Sequence, residues 1–290
     1  MKGLKIVVLA KQVPDTRNVG KDAMKSDGTV NRAALPAIFN PEDLNALEQA
    51  LRLKDNNEGT TVKLLTMGPD RAAEVIREGL YRGADGGFLL SDRAFAGSDT
   101  LATSYALSCA IKKTEFDVII CGRQAIDGDT AQVGPQVAEK LGIPQVTYAE
   151  EILKVEKNKV TIKRRLERGF EVVVCPTPCV ITVNASAPEC RPRNARFVMK
   201  YKHAKADSEM QNVSEDYISL ANARPYLKIS EWNVNDIVCD QEELGLSGSP
   251  TKVKAIENVV FQAKESKKLG TGDDEMDELI KDLFANHTIG

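Results

Sequence analysis

The chain has 290 residues, 42% of them hydrophobic and 28% charged, which is enough to bury the core of one large domain. Its 39 basic and 42 acidic residues nearly balance, which argues against nucleic acid or an anionic membrane surface as the partner of the whole chain. No apolar run is long enough to span a bilayer, and residues 1–10 are typical of a first strand rather than a signal peptide. The six cysteines follow no secreted disulfide pattern, so we expect a cytoplasmic protein with reduced thiols.

Strand and helix signals alternate through the first half of the chain. Such alternation, with fully apolar strands, predicts an α/β fold with a doubly wound, mostly parallel sheet and helices on both faces. The predicted strands are residues 4–10, 61–67, 87–90 and 117–121. The predicted helices are residues 41–54, residues 69–81 closed by Gly83, a helix capped by Ser98 that runs to about residue 113, and residues 131–141.

Ligands of doubly wound sheets sit beyond the carboxyl ends of the strands. Four loops of this chain meet that condition, so we expect the site among them. They are residues 11–40, Gly68, residues 91–98 and residues 122–130.

The pattern changes after Pro144. Residues 152–155 and 159–165 predict a hairpin, and residues 171–175 and 179–184 predict two more strands, together an antiparallel extension of the sheet. The CPTPC segment between the last two lacks metal-site or redox spacing and favours a corner between strands. From residue 187 the chain is polar with few periodic stretches, which favours an arm that packs on a partner. We therefore divide the chain into an α/β domain with this extension, 1–186, and a polar segment that ends in a C-terminal arm, 187–290.

The loop after the strand at 117–121 reads GRQAIDGDTAQVG and leads into a predicted helix. Helix N-termini attract phosphate because their first N–H groups are unpaired, and Thr130 is a suitable cap for this helix. Asp127 and Asp129 would repel a bare phosphate but suit ribose hydroxyls or bonds that brace the loop. A sugar-phosphate ligand fits both halves of the loop. Three glycines are expected to allow close backbone approach or positive φ: Gly122, Gly128 and Gly134.

The segment GRQAIDGDTAQVGPQVAEKLGIPQ resembles the signature of the beta subunit of electron transfer flavoproteins. Other matching pieces stand in the expected order: KQVPDT at 11–16, FNPEDLNALEQALRLK at 39–54, TMGP at 66–69 and GLSGSPTKV at 245–253. The resemblance implies a heterodimer with an alpha subunit, an adenine nucleotide in the α/β domain and a C-terminal arm that wraps the partner. The resemblance also implies a set of cofactor-binding residues, to which we add Thr100 and Thr103 for the reason given below. The full set is Ala10, Asn40, Met67, Gly68, Thr100, Thr103, Gly122, Arg123, Gln124, Ala125, Ile126, Asp127, Gly128, Asp129, Thr130, Ala131, Gln132, Val133 and Gly134.

Family members hold either a structural AMP or, in the electron-bifurcating type, a second FAD that exchanges hydride with NADH. We favour FAD over AMP because GDTAQVGP and GSDTLATSYAL resemble the bifurcating pattern. Thr130, Ala131 and Gly134 would leave room for a pyrophosphate, to which Thr100 and Thr103 could donate hydroxyls.

Several residues keep two interpretations. Arg123 suits a phosphate or an anionic flavin, or else is a surface arginine. Asn40 suits adenine, or else only caps a helix. The basic segment at 187–202 matches the region with which the family docks acyl-CoA dehydrogenases, with Glu189, Arg191 and Arg193 as docking residues, or else is a solvated charged stretch.

The resemblance therefore implies an electron carrier subunit, with ferredoxin or flavodoxin and an acyl-CoA dehydrogenase as redox partners, and not a stand-alone enzyme. No side chain would act as a general acid or nucleophile, and no metal is implied. The alternative from another class is an ATP-binding or ATP-hydrolysing module on the same fold, for which Asp127 and Asp129 are the candidate carboxylates.

Overall fold

The computed structural model describes residues 3–15, 36–156, 158–210, 213–251, 268–286 and 288–289. Most of the predicted ligand loop at 11–40 and the end of the GLSGSPTKV motif, residues 252 and 253, lie outside these ranges. The strands are β1 (Lys5–Leu9), β2 (Gln12–Pro14), β3 (Ala37–Phe39), β4 (Thr61–Met67), β5 (Gly86–Leu90), β6 (Val118–Gly122), β7 (Gln145–Glu156), β8 (Lys159–Leu166), β9 (Gly169–Pro176), β10 (Cys179–Val183), β11 (Lys205–Ala206) and β12 (Lys228–Trp232). The helices are α1 (Pro41–Asn56), α2 (Ala73–Arg82), α3 (Thr100–Lys112), α4 (Val133–Leu141), α5 (Ala195–Tyr201), α6 (Glu215–Ala223) and α7 (Asp273–Ala285).

One ten-stranded sheet organises the domain, in the order β11-β12-β5-β4-β1-β6-β10-β7-β8-β9. Strand β1 pairs in parallel with β4 on one side and β6 on the other, so the strand order reverses beside β1. The short pair β2-β3 forms a separate antiparallel ribbon. The predicted fold class, a mostly parallel doubly wound sheet, is confirmed.

Helices cover both faces of the sheet, because the central strands β1, β6 and β10 are buried along nearly their whole length. On one face, Leu47 of α1 and Ile76 of α2 pack in a core with Val8 and Ile120. On the other face, Ile111 of α3 and Val137 of α4 belong to a second core. The turn Asp70–Ala72 precedes α2, and Gly83 ends that helix at φ 119°, a conformation that glycine adopts without strain.

Strand β10 corrects one prediction. Residues 179–184 were expected in the antiparallel extension, but β10 lies inside the parallel part, between β6 and β7, and pairs in parallel with both. All five of its residues are buried, which is typical of a strand covered by helices on both faces and not of an extension with one solvated face.

The antiparallel extension is formed by β7, β8 and β9, with the predicted hairpin between β7 and β8. The CPTPC segment turns the chain from β9 into β10, so the prediction of a corner is confirmed. Cys175 and Cys179 are buried free thiols, and the residues that the structure describes contain no cluster able to hold a metal ion.

Beyond residue 187 the chain continues on the same sheet. Strands β11 and β12 add to its edge, where Trp232 of β12 stacks on Phe88 of β5 with ring centroids 4.2 Å apart. On α7 the apolar residues Met276, Ile280 and Phe284 are exposed. The division of the chain at residue 187 stays a prediction. Among the described helices, none has the length and apolar character needed to cross a membrane.

Candidate functional site

A cavity of about 390 Å³ opens at the carboxyl ends of β1, β4 and β6, beside the point where the strand order reverses. This is the place where doubly wound sheets bind ligands, and the volume lies in the usual range of ligand sites, about 300–1,000 Å³. The structure brings most of the predicted cofactor-binding residues onto its wall: Ala10, Met67, Thr100, Thr103, Gly122, Arg123, Gln124, Ala125, Gly128, Asp129, Thr130, Ala131, Gln132, Val133 and Gly134. Those not on the wall are Asn40, Gly68, Ile126 and Asp127.

The first turn of α1 holds the loop that follows β6. The backbone N–H groups of Gly122, Gln124 and Ile126 each donate to a different side chain of this turn. The Gly122 N–H donates to Asp43 Oδ1 at 2.9 Å, and the Gln124 N–H donates to Glu42 Oε2 at 3.0 Å. The Ile126 N–H donates to Asn40 Oδ1 at 3.2 Å. Because alternate residues between 122 and 126 are fixed in this way, α1 sets the course of the first part of the loop, which then turns at residues 126–128.

Asn40 does not cap α1 with its side chain, whereas its predicted contact with adenine stays a prediction. Its side chain makes no capping bond to α1 and is fully buried. Instead it both donates to the carbonyl of Gln124 at 2.9 Å and accepts from Ile126. Asn40 is therefore a brace of the loop rather than a helix cap.

Asp43 joins two strand ends, because its carboxylate also accepts the N–H of Lys11 at 2.9 Å. Burial raises the pKa of Asp43 to about 7, although the N–H groups of Lys11 and Gly122 and the Asn40 side chain lower it. Asp43 lies on the cavity wall but was not among the predicted site residues. One sequence signal could have identified Asp43. Three polar residues, at positions 40, 42 and 43, stand at the start of a helix whose next turn is buried.

A pH prediction follows for Asp43. In the unfolded chain the carboxyl titrates near its ordinary pKa of 3.8, so between about pH 4 and 7 the folded protein keeps a proton that the unfolded chain has lost. The contribution of Asp43 to stability is therefore full below pH 4 and is lost as the pH rises through 7. We expect the free energy of unfolding of the wild type, minus that of Asp43→Asn, to fall by up to roughly 4 kcal/mol across this window. Urea unfolding at several pH values measures it, and a constant difference would contradict the assignment.

Arg123 is neither free nor a plain surface residue. Its Nη2 donates to Glu42 Oε1 at 3.0 Å, and its guanidinium lies over the ring of Tyr148, 5.6 Å from the centroid. The hydrogen bond that Arg123 donates to Glu42 raises the pKa of Arg123 above its ordinary value, so the side chain stays charged. Its Nε atom is buried and finds no partner among the described residues. Arg123, held by Glu42, thus brings a positive charge to the cavity wall.

The start of α4 differs from the prediction. The helix begins at Val133, its N-cap is Gln132, and no side chain caps it, so Thr130 is not the cap. The reason is local. Asp129 and Ala131 adopt left-handed backbone, with φ of 49° and 53°, so α4 cannot begin before residue 132. The uncapped first turn leaves backbone N–H groups available at the cavity wall.

The glycines of the loop also act differently from one another. None of Gly122, Gly128 and Gly134 has positive φ. A Cβ on Gly134 would lie 2.6 Å from Thr182 Cγ2, and one on Gly122 would lie 2.5 Å from Asp43 Oδ1, whereas one on Gly128 would meet nothing within 4 Å. Two of the three are thus required for packing within the protein.

The start of α3 is already capped. Asp99, and not the predicted Ser98, is the N-cap, and its Oδ1 accepts from Leu101 and Ala102. The Thr100 hydroxyl donates to Gln132 Oε1 at 2.8 Å and so links the starts of α3 and α4. The N–H groups of Leu101 and Ala102 at the start of α3 are therefore already bonded, whereas no side chain caps the start of α4.

The two acidic residues of the loop brace it, through side chains rather than backbone N–H groups. Lys11 Nζ donates to both Asp127 oxygens at 2.8 Å, and Gln124 Nε2 donates to Asp129 Oδ1 at 2.8 Å. The Lys11 side chain is half exposed, so this pair contributes at most about 1 kcal/mol.

The three predicted docking residues lie on one segment, but only two of them are held in ion pairs with other parts of the chain. Glu189 is exposed. Arg191 is bound to Glu48 through Nε at 2.9 Å and to Asp55 through Nη1 at 2.8 Å, and Arg193 pairs with Glu78. A charge reversal at Arg191 would thus also break contacts with α1, so it would not test docking alone.

Comparison with known proteins agrees with these features. A family model described as the electron transfer flavoprotein domain matches residues 27–216. An electron transfer flavoprotein subunit beta of Megasphaera elsdenii is 47% identical over 260 residues, which cover 87% of each chain. Subunit CarD of a caffeyl-CoA reductase–Etf complex of Acetobacterium woodii is 44% identical over 251 residues, 86% of each chain. An acryloyl-CoA reductase electron transfer subunit gamma of Anaerotignum propionicum is 41% identical over 290 residues, 99% of this chain and all of that one.

Proposed function

Because this chain belongs to the electron transfer flavoprotein family, among its beta subunits, we propose that its cavity binds the adenine nucleotide end of FAD. The uncapped start of α4, at the wall of a cavity beside the strand reversal, is the observation that carries the proposal. Helix N-termini bind phosphate because their free N–H groups and dipole favour negative charge.

The residues present fit such a group. Backbone donors come from the first turn of α4, a positive charge comes from Arg123, and amide side chains come from Gln124 and Gln132. The bracing by Asn40, Glu42 and Asp43 orders the loop before any ligand arrives, which lowers the entropy lost on binding. When bound, FAD would supply hydride and single-electron transfer, and the chain would bind and orient it.

FAD is preferred to AMP on the shape of the cavity. Its wall continues past Ala131 and Gly134 to Thr100 and Thr103 on α3, which would face the part of a ligand that extends beyond its first phosphate. Two relatives carry names of reductase electron-transfer subunits, which favours a role in supplying electrons to a reductase.

We propose further that the chain works as a heterodimer with an alpha subunit. In this assembly NADH would be the electron donor, and ferredoxin or flavodoxin and an acyl-CoA dehydrogenase-like flavoenzyme would be acceptors. Glu189 and the neighbouring arginines would contact that flavoenzyme, and the C-terminal arm would contact the alpha subunit.

Cofactor content tests the proposal. The co-purified heterodimer is expected to be yellow and to release two FAD per complex after denaturation, measured by absorbance and chromatography. One FAD with one AMP would show the non-bifurcating alternative. A colourless chain that turns over ATP would contradict the proposal and support the ATP-hydrolysing alternative. Anaerobic titration with NADH then tests whether NADH reduces the bound flavin.

A further inference from the structure

The GLSGSPT segment, residues 245–251, lies against the cavity wall although it stands far from the other wall segments in the chain. We call it the tail clasp. The Thr251 N–H and hydroxyl both donate to Asp99 Oδ2, at 3.0 and 2.6 Å. In return, the Asp99 N–H donates to the Ser249 hydroxyl at 2.8 Å. Three hydrogen bonds thus join the clasp to one residue of the wall.

Asp99 is also hydrogen-bonded to the first turn of α3. Its second oxygen, Oδ1, accepts the N–H groups of Leu101 and Ala102, at 2.9 and 3.1 Å. Its neighbours Gly97, Ser98 and Thr100 all line the cavity. One carboxylate therefore sets the position of the wall segment 97–100 relative to both the clasp and the helix.

The clasp has little freedom to move independently of this wall. Ser249 is 4% exposed, and its hydroxyl donates to the carbonyl of Gly245 at 2.6 Å. A Cβ on Gly245 would lie 2.3 Å from the Ala94 carbonyl oxygen, and one on Gly248 would lie 2.0 Å from the Glu243 carbonyl carbon. Such close approach shows that the clasp fits its surroundings as a packed unit.

We propose that Asp99, Ser249 and Thr251 are positioning residues for the nucleotide, which act by holding the wall segment 97–100 in its binding position. The inference rests on the proposed function of the cavity. Coupling between two sites is reciprocal, so a nucleotide in the cavity also stabilises the clasp. Nucleotide occupancy and the placement of this C-terminal segment are thereby linked.

The chain offers matched variants for the test. Thr251→Val and Ser249→Ala each remove a hydroxyl that bonds Asp99, whereas Thr251→Ser keeps the hydroxyl. Ser247→Ala is the control, because the Ser247 hydroxyl belongs to the same clasp but donates to the carbonyl of Leu244. The full-length chains, freed of nucleotide, are titrated separately with AMP and with FAD by calorimetry. We expect both loss variants to bind about fivefold or more weakly, and Thr251→Ser and Ser247→Ala to bind like the wild type.

Amide hydrogen exchange supplies a readout that a purely structural role would leave unchanged. Added AMP is expected to slow exchange at residues 99 and 251 in the wild type and in Ser247→Ala, and to have little effect in Thr251→Val. If the wild type binds the nucleotides and both Thr251→Val and Ser249→Ala bind them equally well, the clasp proposal is overturned and the proposed function is not. A wild-type chain that binds neither AMP nor FAD would instead contradict the proposed function.

Discussion

Gly122→Ala is expected to lower the free energy of unfolding by about 3 kcal/mol and to abolish nucleotide retention. The added Cβ would lie 2.5 Å from Asp43 Oδ1 and 2.7 Å from the carbonyl carbon of Glu42. Because the second neighbour is backbone, the strain is relieved only if the loop moves away from α1. That movement would also break the hydrogen bond from the Gly122 N–H to Asp43.

Gly128→Ala is the matched control, since it lies in the same loop and its Cβ would meet nothing within 4 Å. Its stability is expected to stay within about 0.5 kcal/mol of the wild type. Urea unfolding and the nucleotide content of the purified proteins measure both variants. Equal losses in the two variants would mean that the loop needs glycine for flexibility and not for its approach to α1.

Glu42→Ala is expected to destabilise the protein by about 3 kcal/mol, because it leaves a charge and a backbone donor without partners. The lost acceptors serve Arg123 Nη2 and the N–H of Gln124, both at 3.0 Å. The Glu42 side chain is only 8% exposed, so water cannot readily replace it. With Arg123 released, nucleotide binding is expected to weaken as well.

Two further variants isolate the cause. Asp127→Ala breaks an ion pair whose lysine is half exposed, and it should cost at most about 1 kcal/mol. Adding Arg123→Met to Glu42→Ala removes the unpaired charge, so the double variant should regain part of the lost stability. A double variant that is no more stable than Glu42→Ala would show that the N–H of Gln124, and not Arg123, explains the loss.

The periodicity of apolar residues was sufficient to predict β1, β4, β5 and β6 and the helices between them. The strand at residues 61–67 was predicted with the bounds that β4 has, and the end of α2 at Gly83 followed from the glycine. It was not sufficient for β10, because a short apolar run does not show which strands will flank it. The start of α4 was misplaced for a different reason: the left-handed backbone of Ala131 has no sequence signal in a residue that usually favours helix.

The sequence by itself determined the order of β1, β4, β5, β6 and α1 to α4 along the chain, the family and most of the residues around the cavity. Only the tertiary structure decided what holds them there. Asp43 bonds Gly122 across 79 residues of chain, and Asp99 bonds Thr251 across 152. Local patterns report helix and strand propensity through near neighbours, whereas these hydrogen bonds exist only after the sheet has brought distant strand ends to one edge.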